Sequence, residues 1–132
     1  MTHTPTQPTV LIVDDDQAYR ETIARALSLR QVTVLTAADF RTACNLIDTE
    51  PVSVAVFDYS VQGANGDCLC KKILKVSPSI AMIILSAQQS SLIEKKIRSC
   101  SPIVYLIKPV VIEELCAVVD RCLRAINQNV AA

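Results

Sequence analysis

Five short runs of aliphatic and β-branched residues, distributed along a chain of 132 residues, constrain the fold of this protein most. They read VLIV at 10–13, VTVL at 32–35, VSVAVF at 52–57, IAMIIL at 80–85 and IVYLI at 103–107. Most are apolar at successive rather than alternate positions, which is typical of strands that are buried on both faces. The sequence therefore predicts a parallel sheet that helices cover on both sides.

Helical periodicity fills the segments between these runs. Apolar side chains recur at intervals of three or four residues, as in Tyr19, Ile23 and Leu27 and again throughout 112–126. Strands that alternate with helices in this way build an α/β fold. We predict a flavodoxin-like, doubly wound (βα)5 arrangement with a five-stranded parallel sheet in the order 2-1-3-4-5. The predicted domain covers 9–126, with a disordered N-terminal tail at 1–8 and a C-terminal tail at 127–132.

Charge and composition disfavour several classes of function. Thirteen basic and thirteen acidic side chains cancel, so the basic excess of a nucleic-acid-binding surface is missing. No apolar run approaches the roughly 18 residues of a membrane span, and the first residues do not resemble a signal peptide. The six cysteines lie in apolar or helical patterns, which favours buried or half-buried thiols over disulfides. We expect a cytoplasmic protein that binds neither nucleic acid nor membrane directly.

The carboxyl ends of the predicted strands carry the candidate site, because ligands of open parallel sheets bind there. The side chains that follow the first, third, fourth and fifth runs are Asp14, Asp15, Asp58, Ser86 and Lys108. In the predicted strand order these four ends lie side by side, so the five side chains share one crevice. Asp16 also follows the first run, but we expect it to cap the next helix.

The chemistry of this set is that of phosphoryl transfer with a divalent cation. Clustered carboxylates repel one another unless a cation joins them. Oxygen ligands that leave room for water suit Mg²⁺. A lysine and a hydroxyl at the same point can hold phosphoryl oxygens. One carboxylate is then left to act as the nucleophile and carry an acyl phosphate.

In order and in spacing, the motifs resemble those of the receiver domain of two-component response regulators. The matching pieces are VLIVDDD, the loop DYSVQGANG at 58–66, IILSA and YLIKP. The resemblance implies that Asp58 is the phosphoacceptor and that Asp15 and Asp58 bind Mg²⁺ directly. It also implies that Asp14 helps through water and that Ser60 contributes its backbone carbonyl to the metal.

The resemblance further implies a switch and its partners. Ser86 and Lys108 would hold the phosphoryl group, and Tyr105 matches an aromatic residue that turns inward on activation. The phosphoryl donor would be a sensor histidine kinase or a phosphotransfer protein, and a downstream output protein or output domain would respond. The face of the fourth predicted helix, the fifth strand and the fifth helix, about 88–126, would bind partners or a second copy of the chain as a homodimer.

The sequence also leaves other functions open. Asp14-x-Asp16 after an apolar strand resembles the acidic pair of a haloacid-dehalogenase-type phosphatase, although Asp58 would then have no role. A receiver that docks partners without phosphate is a further alternative. We expect no enzyme activity beyond slow self-dephosphorylation. Because no output domain follows 126, we expect either a stand-alone receiver or part of a longer protein.

Overall fold

The five apolar runs form one parallel sheet in a computed structural model that describes residues 7–60, 66–87 and 104–131. The strands are β1 (Thr9–Val13), β2 (Thr33–Ala37), β3 (Val52–Asp58), β4 (Ala81–Ser86) and β5 (Val104–Ile107). Their order is β2-β1-β3-β4-β5, and all neighbours are parallel. The predicted flavodoxin-like strand order is therefore confirmed.

Four helices accompany the sheet in the described residues: α1 (Gln17–Ser28), α2 (Phe40–Thr49), α3 (Gly66–Val76) and α4 (Ile112–Ala131). The helix predicted between the fourth and fifth strands falls on 88–103, outside the described residues, as does most of the N-terminal tail predicted at 1–8. Helix α4 continues past the expected domain boundary at 126. None of the described helices is both long enough and apolar enough to cross a lipid bilayer.

The sheet separates two hydrophobic clusters, because successive side chains of a strand point to opposite faces. Leu11 and Phe57 pack with residues of α2 and α3 on one face. Val10 and Val56 pack with residues of α1 and α4 on the other face. All four side chains are almost completely buried. This burial on both faces explains why the central strands are apolar without alternation.

Aspartate residues begin the first two helices. The side chain of Asp16 accepts a hydrogen bond from the backbone N–H of Tyr19 at 3.1 Å. The side chain of Asp39 accepts one from the backbone N–H of Thr42 at 2.7 Å, and this bond lowers the pKa of Asp39. Such caps satisfy N–H groups that have no partner inside the helix. The prediction that Asp16 caps a helix is confirmed.

Most of the described cysteines follow the expectation of buried or half-buried thiols. Cys70, Cys116 and Cys122 are buried, Cys44 is half-buried, and none of the described cysteines forms a disulfide. Burial raises the pKa of Cys44 and Cys122. Cys68 is exposed, so the expectation is wrong there. The reason is its place on α3, where the inward-facing positions belong to Leu69 and Cys70.

We predict that Leu11→Ala lowers the free energy of unfolding by about 3 kcal/mol, because it leaves a cavity where β1, an inner strand of the sheet, packs against the hydrophobic core. Leu29→Ala is the matched control, since the Leu29 side chain is 87% exposed. It should change the free energy by less than about 0.5 kcal/mol. Urea denaturation followed by circular dichroism measures both. Equal losses in the two variants would contradict the assignment of Leu11 to the core.

Candidate functional site

The carboxyl ends of β1, β3, β4 and β5 meet at one edge of the sheet. Asp58 and Ser86 are the last residues of β3 and β4, and Lys108 follows β5 directly. The backbone N–H of Lys108 donates to the carbonyl of Ser86 at 2.7 Å, which fixes the two strand ends side by side. A cavity of about 510 Å³ lies over this edge and is lined by Asp15, Asp58, Tyr59, Ser60, Ser86, Ala87 and Lys108.

Lys108 joins two carboxylates that come from distant parts of the chain. Its Nζ lies 3.0 Å from Oδ2 of Asp14 and 2.5 Å from Oδ2 of Asp58. The side chain of Lys108 is 20% exposed, that of Asp14 is 2% exposed and that of Asp58 is 14% exposed, so water screens these ion pairs only weakly. A buried carboxylate is costly unless a partner of opposite charge compensates it. Lys108 supplies that charge in this structure.

The pKa of Lys108 reflects the same contacts. Burial alone would lower the pKa of Lys108, but the hydrogen bonds and negative charges of Asp58 and Asp14 together outweigh burial and raise it above the ordinary value. The ammonium is therefore charged at neutral pH. Because the pKa is raised in the folded state, the stabilisation from these pairs is present at neutral pH and is lost as pH rises through the raised pKa.

Asp14 is fixed by its backbone as well as by its side chain. Its Oδ1 accepts a hydrogen bond from the N–H of Asp16 at 2.9 Å. Its N–H donates to the carbonyl of Ala37 at 3.1 Å, and its carbonyl accepts from Nη1 of Arg20 at 2.7 Å. Asp15 is different, because it is exposed and lines the cavity. The two neighbouring acids thus have different environments, one buried and paired, the other open to a ligand.

Asp58 presents its carboxylate between two donors. Oδ1 accepts a hydrogen bond from the backbone N–H of Ser60 at 2.9 Å, while Oδ2 faces the ammonium of Lys108. These contacts hold the carboxylate at the cavity without closing it off, since Ser60 and Lys108 both line the same space. Asp58 is thereby oriented toward whatever binds in the cavity.

The donor set fits a magnesium ion that keeps much of its water. In the described residues, no three His, Cys, Asp or Glu side chains converge as metal ligands. The cavity does bring together Asp15, Asp58 and Ser60. Mg²⁺ is commonly bound through one or two carboxylates and several water molecules. Two aspartates at a cavity with space for water meet that requirement.

The remaining predicted residues lie at the edge or next to it. Ser86 is only 4% exposed and borders the cavity. Tyr105 is half-buried, pairs in register with Ile84 of β4 and packs against the cluster on the α2–α3 side of the sheet. It does not line the cavity. The structure thus places Ser86 at the site and Tyr105 beside it, one strand away from Ser86.

The sequence did not point to two residues of α1 that contact the site. Arg20 donates to the carbonyl of Asp14, and the ring of Tyr19 lies under the ammonium of Lys108, whose Nζ is 4.5 Å from the ring centroid. Tyr19 was predicted only as part of an apolar helical stripe. The feature of the sequence that could have pointed to Tyr19 is its hydroxyl-bearing ring, which stands one helical turn after the acidic residues in a stripe that otherwise holds the aliphatic Ile23 and Leu27.

The response regulator receiver domain model matches residues 10–120 of this chain. The chain belongs to this family. Two curated relatives are each 30% identical: the DNA-binding transcriptional regulator NtrC of Azospirillum brasilense, over 121 residues, and the response regulator MprA of Mycolicibacterium vanbaalenii, over 117 residues. The matches cover 92% and 87% of this chain, but 24% of NtrC and 50% of MprA. The receiver domain therefore spans half or less of these relatives.

The fold of the receiver domain agrees with solved structures. A CheY-like receiver domain protein from Methanospirillum hungatei superposes with a TM-score of 0.89 at 24% identity, covering 93% of this chain and 98% of that one. At this identity the likeness supports the fold alone. The comparisons give no support to the phosphatase alternative.

We predict that Lys108→Met lowers the free energy of unfolding by about 2 kcal/mol at neutral pH without Mg²⁺, because Asp14 stays buried without its counter-charge. Added Mg²⁺ should recover part of this loss, since a cation that binds the carboxylates of the folded state stabilises that state. Urea titrations with EDTA and with MgCl₂ measure both effects.

Lys72→Met is the control for the loss of a lysine and its ion pair. Lys72 pairs with Asp48 at 3.0 Å, but the two side chains are 29% and 48% exposed. Its removal should cost less than about 1 kcal/mol, with no dependence on Mg²⁺. If Lys108→Met behaved like Lys72→Met, the buried pairs would not have the weight assigned to them.

Proposed function

We propose that this receiver domain accepts a phosphoryl group on Asp58 in a Mg²⁺-dependent reaction. The observation that carries the proposal is the placement of Asp58: it ends β3, lines the cavity, and has one oxygen held by the Ser60 N–H and the other facing Lys108. A carboxylate held in this way is oriented for nucleophilic attack. A module that docked partners without phosphate would not need this arrangement.

The neighbouring groups have distinct proposed roles. Asp15, Asp58 and the carbonyl of Ser60 would hold Mg²⁺, with Asp14 acting through a water molecule. The bound ion would supply positive charge that neutralises the developing phosphoryl charge. Lys108 already bridges Asp14 and Asp58, so it can turn from the free carboxylate of Asp58 to a phosphoryl oxygen over a short distance.

The transfer itself exchanges one bond for another. An oxygen of Asp58 attacks the phosphorus of a phosphohistidine, the phosphorus–nitrogen bond breaks, and the imidazole leaves with the electron pair. The product is an aspartyl phosphate whose added negative charge is about −1.5 to −2 at neutral pH. Lys108 faces this charge from one side. The Ser86 hydroxyl, at the end of the next strand, can donate a hydrogen bond from the other.

Response regulator receiver domains work with histidine kinases and output domains. For this chain we propose a sensor histidine kinase or a phosphotransfer protein as the phosphoryl donor, in the cytoplasm, and an output protein or output domain as the recipient of the signal. The protein would release the phosphate slowly by self-hydrolysis and catalyse no other reaction. The relatives NtrC and MprA are longer than the matched region. We propose that the output of this chain comes from an output domain or from a separate output protein.

The proposed switch involves Ser86, Tyr105 and the surface of β5 and α4. Movement of the strand-end segment at Ser86 toward the phosphoryl group would open space that Tyr105, on the neighbouring strand, can fill. Val104, Val118 and Cys122 line an open groove of about 370 Å³ between β5 and α4, which offers apolar surface to a partner or to a second copy in a homodimer. The remainder of the predicted face, 88–103, lies outside the described residues.

We expect the wild-type chain to gain one phosphoryl group on Asp58 when incubated with phosphoramidate and Mg²⁺. Intact-protein and peptide mass spectrometry locate the group. Asp58→Asn should abolish labelling, because the amide is not a nucleophile of this kind. EDTA should do the same by removing the cation.

Two further variants separate the metal site from general loss of acid. Asp15→Asn should slow labelling at limiting Mg²⁺ and weaken Mg²⁺ binding in calorimetry by tenfold or more, on the order of 1.4 kcal/mol. Asp16→Asn is the matched control, because asparagine retains the helix cap while one neighbouring negative charge is lost.

Undiminished labelling of Asp58→Asn would refute the assignment of Asp58 as the phosphoacceptor.

For the switch, we expect beryllofluoride, a phosphoryl mimic, to change amide hydrogen exchange at 84–87 and 104–108. Such a switch requires two arrangements that differ by only a few kcal/mol, so that a ligand that contacts Ser86 can shift their populations. Ser86→Ala should reduce the change because it removes the hydroxyl that would hold the mimic. Identical exchange with and without beryllofluoride in the wild-type chain would contradict the switch.

A further inference from the structure

Tyr19 is fixed in place by the start of α1. It is the third residue of the helix, and its backbone N–H donates to the capping carboxylate of Asp16 at 3.1 Å. The side chain reaches back to the carboxyl edge of the sheet, where its ring lies against Lys108. Because the cap fixes the backbone, the ring has a defined position relative to the site.

The ring completes the surroundings of the Lys108 ammonium. Nζ lies 4.5 Å from the ring centroid, 3.0 Å from Asp14 and 2.5 Å from Asp58. The face of an aromatic ring carries partial negative charge and attracts a cation at this distance. The ammonium is thus held by two carboxylates, one at the end of β1 and one at the end of β3, and by one ring face from α1.

The hydroxyl group of Tyr19 does not explain the presence of this residue. Its oxygen is fully buried and has no well-formed hydrogen bond in the described part of the chain, although the backbone of Val110 is nearby. A buried hydroxyl without a good partner costs free energy rather than contributing it. Of the two parts of the side chain, the ring is the one with the well-defined contact, which is to the Lys108 ammonium.

The ring contact differs in kind from the carboxylate contacts. Asp58 changes its charge and shape when it is phosphorylated, so the hydrogen bond from Lys108 to its oxygen must be exchanged for one to the phosphoryl group. The Tyr19 ring undergoes no such change. A lysine side chain has many rotamers and loses entropy when it is confined to one. A contact that persists through the exchange keeps the ammonium at the site.

We propose that Tyr19 is a positioning residue for Lys108: its ring face holds the ammonium at the cavity while the hydrogen bonds of that ammonium change from carboxylate to phosphoryl oxygen. The proposal rests on the proposed phosphorylation of Asp58. It assigns Tyr19 no contact with the phosphoryl group, since Tyr19 is absent from the lining of the cavity.

Initial rates of phosphorylation by phosphoramidate with saturating Mg²⁺ test the proposal. Tyr19→Leu removes the ring face and should slow phosphorylation about three- to tenfold, because the ammonium that Asp58 releases is no longer held in position for the phosphoryl group. Tyr19→Phe keeps the ring and should stay within about twofold of wild type. Calorimetry should give the same Mg²⁺ affinity in all three proteins, because no metal ligand has changed.

A double-mutant cycle distinguishes action through Lys108 from a general packing effect. In the Lys108→Ala background, Tyr19→Leu should cause no further loss, because the group that it positions is missing. An equal loss in both backgrounds would overturn the proposal. So would a Tyr19→Phe variant as slow as Tyr19→Leu. A wild-type chain that gains no phosphoryl group would instead overturn the proposed function. The ring contact would then be tested by nuclear magnetic resonance alone.

Nuclear magnetic resonance provides that measurement without any reaction. Protons next to the Lys108 ammonium lie over the Tyr19 ring, so their resonances should be shifted upfield in wild type and in Tyr19→Phe. They should return to ordinary positions in Tyr19→Leu, or in Tyr19→Met if the leucine variant melts well below wild type. Unchanged Lys108 resonances in the variant without a ring would show that the contact is not formed in solution and would overturn the proposal.

Discussion

The contact of one ammonium with two carboxylates is the interaction on which the arrangement of this protein depends. Asp14 is almost fully buried at the end of a central strand, and it needs a positive partner there. Lys108 supplies the charge and at the same time touches Asp58. Three strand ends are held together by this contact. Under the proposed phosphorylation of Asp58, the phosphoryl group would compete with the carboxylates for the ammonium.

The parallel sheet is what makes such a contact available. Asp14, Asp58 and Lys108 are separated by 44 and 50 residues, but β1, β3 and β5 all end at the same edge. The strand ends themselves place these three side chains, since Asp58 ends β3 and the other two directly follow β1 and β5. The first turn of α1 adds to this edge, because the Asp16 cap fixes the helix directly after the acidic residues. Tyr19 and Arg20 reach the site for that reason.

The fold and most of the site follow from local patterns. The five apolar runs predicted five strands, and the structure extends or trims them by at most two residues at an end, as at β2 (Thr33–Ala37). The helix cap at Asp16 was predicted because its signal lies within a few residues. Cys68 was wrongly expected to be at least half-buried, because neighbouring residues of a helix differ in exposure and the apolar stripe passes through Leu69 and Cys70 instead.

By itself the sequence determined the class of fold, the residues at the strand ends and, through its motifs, the receiver family. Those features follow from the periodicity of apolar residues and from short motifs, so they can be predicted without knowing which distant residues are in contact. Only the tertiary structure decided which groups touch: that Asp14 is buried while Asp15 faces the cavity, that Lys108 joins Asp14 to Asp58, and that the Tyr19 ring lies under the ammonium. The physical reason is that burial and ion pairing depend on side chains from separate strands and helices, whose distances are set by the packing of the whole sheet.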